Sequence, residues 1–374
     1  MHARNDASSH LRAWRPAACL IAVLCGGGLA GAVEPYVPDA EELAQFPLKP
    51  DLPGLPPATG VRYWHTPFAK LPLRGCYVSV AQHEADGLPV FELWQNTWGD
   101  GGPTDRQIIV QHGPALDRLA APKTVCDGAL IQDVPDPKNP AQLSPLRGYT
   151  RPAMTWDKEF GYVLMTCVCP DYLPGSVPLL PALLVSRSGC PGSFKYLGKI
   201  KGEPEAEAAK RTIWSDGGSL VRLRDGGWRL YLNGFGQVLA AAESKTLDGP
   251  WNFLRDERGA IRELFPEFPK APQCGGCFPT VLRVAEDNRH AWITDTWPPQ
   301  SIWHFWSPDG RQWRLYGQQP EITRAAFGGR GIKCLRAYVN PLSGEIAGLD
   351  KGPDGNKGWV LHASQMTSEN RGNR

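Results

Sequence analysis

Helical periodicity is scarce in this chain of 374 residues. After Val61 no apolar period of 3.6 persists for the length of a globular helix. The two candidate exceptions, Pro204–Lys210 and Leu116–Ala120, are short and sit in connections. A helical or α/β body is therefore excluded. Long apolar runs are also missing. The clearest one, Ala17–Leu24, falls well short of the roughly 20 residues that span a bilayer. Nor does one sign of charge dominate: 40 basic and 38 acidic side chains leave a formal net charge of +2. That balance argues against nucleic acid or an anionic membrane as the main partner. G-x-S-x-G, H-E-x-x-H and P-loop motifs are absent as well, which removes the commonest serine-hydrolase, zinc-protease and nucleotide-binding routes.

What is present begins with an export signal over residues 1–32. Arg4, Arg12 and Arg15 form a basic head, Ala17–Leu24 an apolar centre, and Ala30-Gly31-Ala32 a small-residue cleavage site. A retained membrane anchor is the alternative, and the short apolar run disfavours it. The expected location is periplasmic or secreted. Cleavage removes those three arginines and Asp6, leaving equal numbers of basic and acidic side chains. Eight cysteines remain: Cys76, Cys126, Cys167, Cys169, Cys190, Cys274, Cys277 and Cys334. An even number in an exported chain fits disulfides. Cys167-x-Cys169 and Cys274-Gly-Gly-Cys277 allow a metal or redox site, but no partner pair stands at zinc spacing, so no metal is assigned. Residues 33–60 are rich in proline. They read as an extended arm with one helical turn near Asp39–Gln45, or else as a disordered linker. Residues 367–374 read as a disordered tail.

The body, residues 61–366, is organised around Ile213–Phe253. Gly218–Leu223, Trp228–Asn233, Val238–Glu243 and Pro250–Leu254 read as four short antiparallel strands. Asp225-Gly226-Gly227 and Asp248-Gly249 supply the turns. The unit recurs. Arg151–Thr155, Gly161–Val168, Ala182–Arg187 and Phe194–Leu197 form one copy. Phe278–Val284, His290–Thr296, Ile302–Trp306 and Trp313–Tyr316 form another. Gly75–Ala81, Val90–Asn96 and Gln107–Gln111 form a copy with a degenerate end. Leu335–Val339, Glu345–Leu349 and Gly358–Ala363 form a last copy that lacks a strand, which Val61–Thr66 supplies. The expected fold is all-β: a five-bladed β-propeller of four-stranded antiparallel blades, closed by the N-terminal strand. A β-sandwich of similar length is the alternative. Fourteen Trp and twelve Phe provide the apolar area that flat blades bury against one another.

Two turns, Ser307-Pro-Asp-Gly-x-x-Trp313 and Glu243-Ser-x-x-x-x-Asp-Gly-Pro-Trp251, resemble the outer-hairpin signatures of five-bladed propeller glycoside hydrolases of the family 43 and family 32 type. The resemblance extends from Arg74 to about Ser364. It implies a monomer acting on an oligo- or polysaccharide at an axial pocket, with no cofactor. It also implies three carboxylates at the starts of inner strands: a base, an acid, and one that tunes the acid's pKa. Asp216, in Ser215-Asp216-Gly217-Gly218, stands where the tuning Asp opens its blade. The copy that should open with the acid reads Gly275-Gly276-Cys277-Phe278-Pro279, without a carboxylate. The residues themselves offer Asp295, which closes an apolar strand, and Glu267, in the loop before Cys274, as further catalytic candidates.

Arginine stands at several of these strand mouths, where the family it resembles carries acids or apolar residues: Arg74, Arg151 and Arg336. The guanidinium fork matches a carboxylate or sulfate, so the three are candidate substrate-binding groups for an anionic sugar. Solvated turn residues are the alternative for each. Three function classes follow. One is a glycoside hydrolase. A second is a propeller that binds glycan or protein without turnover. The third is a lyase or sialidase-like enzyme for acidic sugars.

Overall fold

Five four-stranded sheets and one two-stranded hairpin make up the described chain, with a single short α-helix among the described residues. The computed structural model describes residues 61–65, 75–85, 88–97, 106–114, 118–170, 179–209, 218–233, 239–268, 276–285, 288–295, 302–316, 332–339, 350–352 and 355–367, along several strands for the backbone only. The export signal, the proline-rich arm and most of the expected tail lie outside these residues. No described helix is long and apolar enough to cross a membrane.

The strands are, in chain order, β1 (Val61–His65), β2 (Gly75–Ala85), β3 (Leu88–Thr97), β4 (Ile108–Gly113) and β5 (Lys123–Cys126). A hairpin of β6 (Pro135–Asp136) and β7 (Asn139–Leu143) follows, then β8 (Gly148–Asp157), β9 (Gly161–Cys169), β10 (Leu180–Ser186) and β11 (Lys195–Lys199). After helix α1 (Glu203–Ala209) come β12 (Gly218–Arg222), β13 (Trp228–Asn233), β14 (Leu239–Ser244) and β15 (Asn252–Phe253). Next are β16 (Gly276–Ala285), β17 (Asn288–Asp295), β18 (Ile302–Ser307) and β19 (Arg314–Leu315). The last are β20 (Ile332–Val339), β21 (Asp350–Gly352) and β22 (Gly355–Thr367).

Sheets β2–β5, β8–β11, β12–β15 and β16–β19 each run in simple up-and-down order. The fifth has the order β1-β22-β20, with β21 paired to β22. Its β1 lies parallel to β22, Val61 opposite Gly358 and His65 opposite His362. A sandwich of two sheets is not what forms. The degenerate end expected for the first copy is a complete fourth strand, β5, which pairs with β4 through a register shift. The expected strand at Glu345–Leu349 lies outside the described residues.

Alternation along the middle strands explains how the sheets pack. Val163, Met165 and Cys167 of β9 join a core with Leu220, Trp228, Leu230 and Leu232 of the third sheet. Leu164 and Val168, pointing the other way, join Trp94, Ile108 and Val110 of the first. Tyr231, between Leu230 and Leu232, packs instead with Ala291, Ile293 and Phe305 of the fourth. Strand side chains alternate faces, so the second and third sheets are apolar on both sides and are covered on both by neighbours. Each large side chain fully buried in such a seam contributes about 1.5–3 kcal/mol. The first strands also touch one another in sequence: β2 with β8, β8 with β12, β12 with β16, β16 with β20, and β20 with β2.

A common turn ends the third strand of three sheets. The Ser186 hydroxyl accepts from Gly189 N–H at 2.8 Å, and the Ser307 hydroxyl accepts from Gly310 N–H at 2.8 Å. Ser244 Oγ accepts from Thr246 N–H at 3.3 Å. Each turn is followed by a buried aromatic residue: Phe194, Trp251 or Trp313.

Candidate functional site

Glycine opens four of the first strands: Gly75, Gly148, Gly218 and Gly276. Opposite three of them stand the final residues of the second strands. Thr97 faces Gly75, Cys169 faces Gly148, and Asp295 faces Gly276. A register shift follows within a few residues in the same three sheets, between Gly75 and Val78, between Thr150 and Ala153, and between Cys277 and Thr280. Such bulges bend a strand and re-aim its side chains. The same end of these three sheets is therefore irregular, and the candidate site lies there.

Arg151 occupies the bulge of β8. It is buried, with 4% of its surface exposed, and its φ is +58°, the one left-handed non-glycine among the described residues. Pro152 follows it, and a residue before proline is already pushed away from the helical region. A non-glycine residue held at this φ costs of order 1–3 kcal/mol and persists where its surroundings fix it. Those surroundings are polar. Arg151 N–H donates to Asn96 Oδ1 at 3.2 Å, from the end of β3 in the neighbouring sheet. Arg151 Nη1 donates to Thr150 Oγ1 at 3.4 Å, and Thr166 Oγ1 donates to Thr150 O at 2.7 Å. Two further bonds tie adjacent first strands: Met154 N–H to Ser79 Oγ at 3.1 Å, and Thr155 Oγ1 to Leu220 O at 3.2 Å.

Beside Arg151 is a second arginine that sequence reasoning missed. Arg106 Nη1 donates to Leu146 O at 3.4 Å and lies 3.7 Å from Cys169 Sγ. Burial pushes the Cys169 thiol up to about 11, while the charges of Arg106 and Arg151 pull the other way. Cys126, Cys167, Cys169 and Cys190 are thiols in the structure, not disulfides. Among the described residues no three His, Cys, Asp or Glu side chains gather as metal ligands would.

The other expected residues are distributed as follows. Asp295 ends β17 at the bulged end of its sheet. Asp216 lies outside the described residues, two positions before Gly218. Arg74 also lies outside them, one position before Gly75. Arg336 sits in an unbroken ladder, opposite Ala363, and not in a bulge. Glu267 is elsewhere. It is exposed, and its Oε2 accepts from Leu315 N–H at 2.6 Å on β19, the strand farthest from β16 in that sheet. There it borders an open groove of about 500 Å³ together with Arg258, Arg262, Arg311 and Arg314. The Glu267 carboxylate is thus tied to the outer strand β19.

No family model and no curated protein matches the chain. Among solved structures it is similar to an exo-β-1,3-galactanase from Phanerochaete chrysosporium, with 12% identity and a TM-score of 0.45 over 76% of this chain and 62% of that one. It is similar also to an exo-β-1,3-galactanase from Clostridium thermocellum, with 10% identity and a TM-score of 0.46 over 71% of this chain and 52% of that one. At that overlap the likenesses fix neither an activity nor the role of any residue.

Proposed function

We propose that the chain is an exported five-bladed β-propeller that hydrolyses a glycosidic bond in an oligo- or polysaccharide carrying acidic sugars. The cyclic contacts of β2, β8, β12, β16 and β20 support the propeller, because only a closed ring brings the first inner strand against the last. The observation that carries the site is Arg151, a buried cation held in a left-handed conformation at the bulged start of an inner strand. Strained residues cluster where ligands bind. A fold by itself does not set an activity, so the chemistry rests on named residues.

In this reading the guanidinium of Arg151, with Arg74 and Arg336, receives the sugar carboxylate. Asp216 and Asp295 supply the two carboxyls that hydrolysis needs across the scissile bond. One protonates the leaving oxygen; the other activates water or attacks the anomeric carbon. No cofactor takes part. The protein works as a monomer outside the cytoplasm, and its mature N-terminus follows Ala32. A second reading is favoured by one observation: the bulges Cys76-Tyr77, Arg151-Pro152 and Phe278-Pro279 carry no carboxylate. In that reading the mouth binds acidic glycan without turning it over.

Reducing-sugar release from polygalacturonate and from neutral galactan separates the two. Hydrolysis predicts release from the acidic polymer, reduced about 100-fold or more in Asp216→Asn and Asp295→Asn. Binding of polygalacturonate without release supports the second reading. Equal turnover by wild type and both variants removes the carboxyls from the mechanism.

A further inference from the structure

We infer that Asn96 is a positioning residue for anionic-sugar recognition, acting through Arg151. The inference rests on the reading of Arg151 given above and adds the residue that makes its conformation possible. Asn96 is the penultimate residue of β3, with 1% of its surface exposed. It belongs to the first sheet, whereas Arg151 belongs to the second. Its two polar atoms do different work. Nδ2 donates to Thr97 O at 3.1 Å, which fixes the amide plane on its own strand. Oδ1 then faces the second sheet and accepts from Arg151 N–H at 3.2 Å.

That backbone N–H lies within the bulge, where the β8–β9 pairing skips from Thr150 to Ala153. A buried N–H outside the ladder needs a partner, and the neighbouring sheet supplies one. From the other side Thr166 Oγ1 holds Thr150 O at 2.7 Å. The left-handed φ is thus clamped by a side chain of each sheet. Since φ sets where the side chain leaves the backbone, the clamp sets where the guanidinium points. Loss of the Asn96 acceptor lets the bulge relax toward ordinary φ and turns the guanidinium away. Asn96 itself need not touch the sugar.

The test is a double-mutant cycle read by calorimetric titration of the mature protein with sodium D-galacturonate and with D-galactose. Asn96→Ala is expected to weaken galacturonate binding about tenfold in the wild-type background, the size of one lost buried hydrogen bond. In the Arg151→Ala background the same change is expected to move it less than about twofold. Galactose binding is expected to be the same for wild type and Asn96→Ala. A purely structural role shifts the affinities for both sugars in both backgrounds, and that result overturns the inference, as does an Asn96→Ala protein that binds galacturonate like wild type. If Asn96→Ala does not fold, Asn96→Ser, whose hydroxyl is too short to reach Arg151, is expected to give the same selective loss. Wild-type protein that binds the two sugars equally refutes the reading of Arg151 itself. Preference by wild type, with no coupling between the two residues, refutes only the role of Asn96.

Discussion

Gly310→Ala tests the seam between the third and fourth sheets in isolation. Gly310 has φ +71°, and its carbonyl accepts from Tyr231 Oη at 3.0 Å and from Trp313 Nε1 at 3.2 Å. A Cβ there would meet the Arg229 guanidinium and, at 2.6 Å, the Tyr231 hydroxyl. Two costs follow. The left-handed conformation costs an alanine about 1–2 kcal/mol. Displacing Tyr231 leaves a buried hydroxyl without its acceptor, which costs about 1–3 kcal/mol. The total is about 3 kcal/mol, equivalent to a fall of about 1 M in urea midpoint at a slope near 3 kcal/mol per M. Gly259→Ala is the control. Gly259 has φ +77°, and a Cβ there meets nothing within 4 Å. It carries only the backbone cost, about 1 kcal/mol, or about 0.3 M. Urea unfolding followed by tryptophan fluorescence reads both. Equal shifts for the two variants would refute the packing of Tyr231 and Arg229 of β13 against the Ser307 turn.

Three further outcomes are expected. Partial burial works to raise the Asp309 pKa, but the N–H groups of Arg311 and Gln312, the Ser307 hydroxyl and the Arg229 charge outweigh it and hold the carboxyl below its usual range. A carboxyl depressed on folding contributes stability above its unfolded pKa of about 3.9 and loses it as pH falls through the lower folded value. Asp309→Asn should therefore lose less stability than wild type between about pH 5 and about pH 3, measured by urea midpoints across that range. Glu243 receives Arg229 at 2.7 Å and Arg311 at 2.9 Å, and Arg229 is nearly buried. Glu243→Ala should cost about 3 kcal/mol, whereas breaking the exposed Lys245–Asp225 pair by Lys245→Ala should leave the urea midpoint unchanged. Cys169 is buried with its thiol raised to about 11, so at pH 8 a thiol reagent should label half-buried Cys190 before Cys169 and reach Cys169 only on unfolding.

Local chemistry made much of the fold legible. Asp225-Gly226-Gly227 reads as a hairpin because glycine takes positive φ, and Gly226 does so at +83° between β12 and β13. The alternation in Trp228–Asn233 marks β13 because its two faces enter two different seams. Lys123–Cys126 carries no strand signal, because four residues after a proline are too short for a period to register, and pairing with β4 defines the strand. The β6–β7 hairpin has only exposed or partly exposed residues, so no apolar alternation announces it. At the site, position within the repeat pointed to Arg74, Arg151 and Arg336 as a set. Asn96 and Arg106 gave no signal, since the first is 55 residues from its partner and the second 63 from Cys169. Contacts between sheets are set by which sheets lie side by side and have no fixed spacing in the chain. Glu267 shows the converse: its carboxylate accepts from Leu315 N–H on the outer strand, and proximity to Cys274 in sequence says nothing about which edge of the sheet a loop follows.

A crystal structure of the mature protein with a galacturonate oligosaccharide addresses the ring and the site together. The expected result is a sugar carboxylate on the Arg151 guanidinium, with Asp216 and Asp295 on either side of a glycosidic oxygen, at the bulged ends of strands that encircle one axis. Sugar bound in the groove beside Glu267, or five sheets that leave the ring open between β20 and β2, would contradict it.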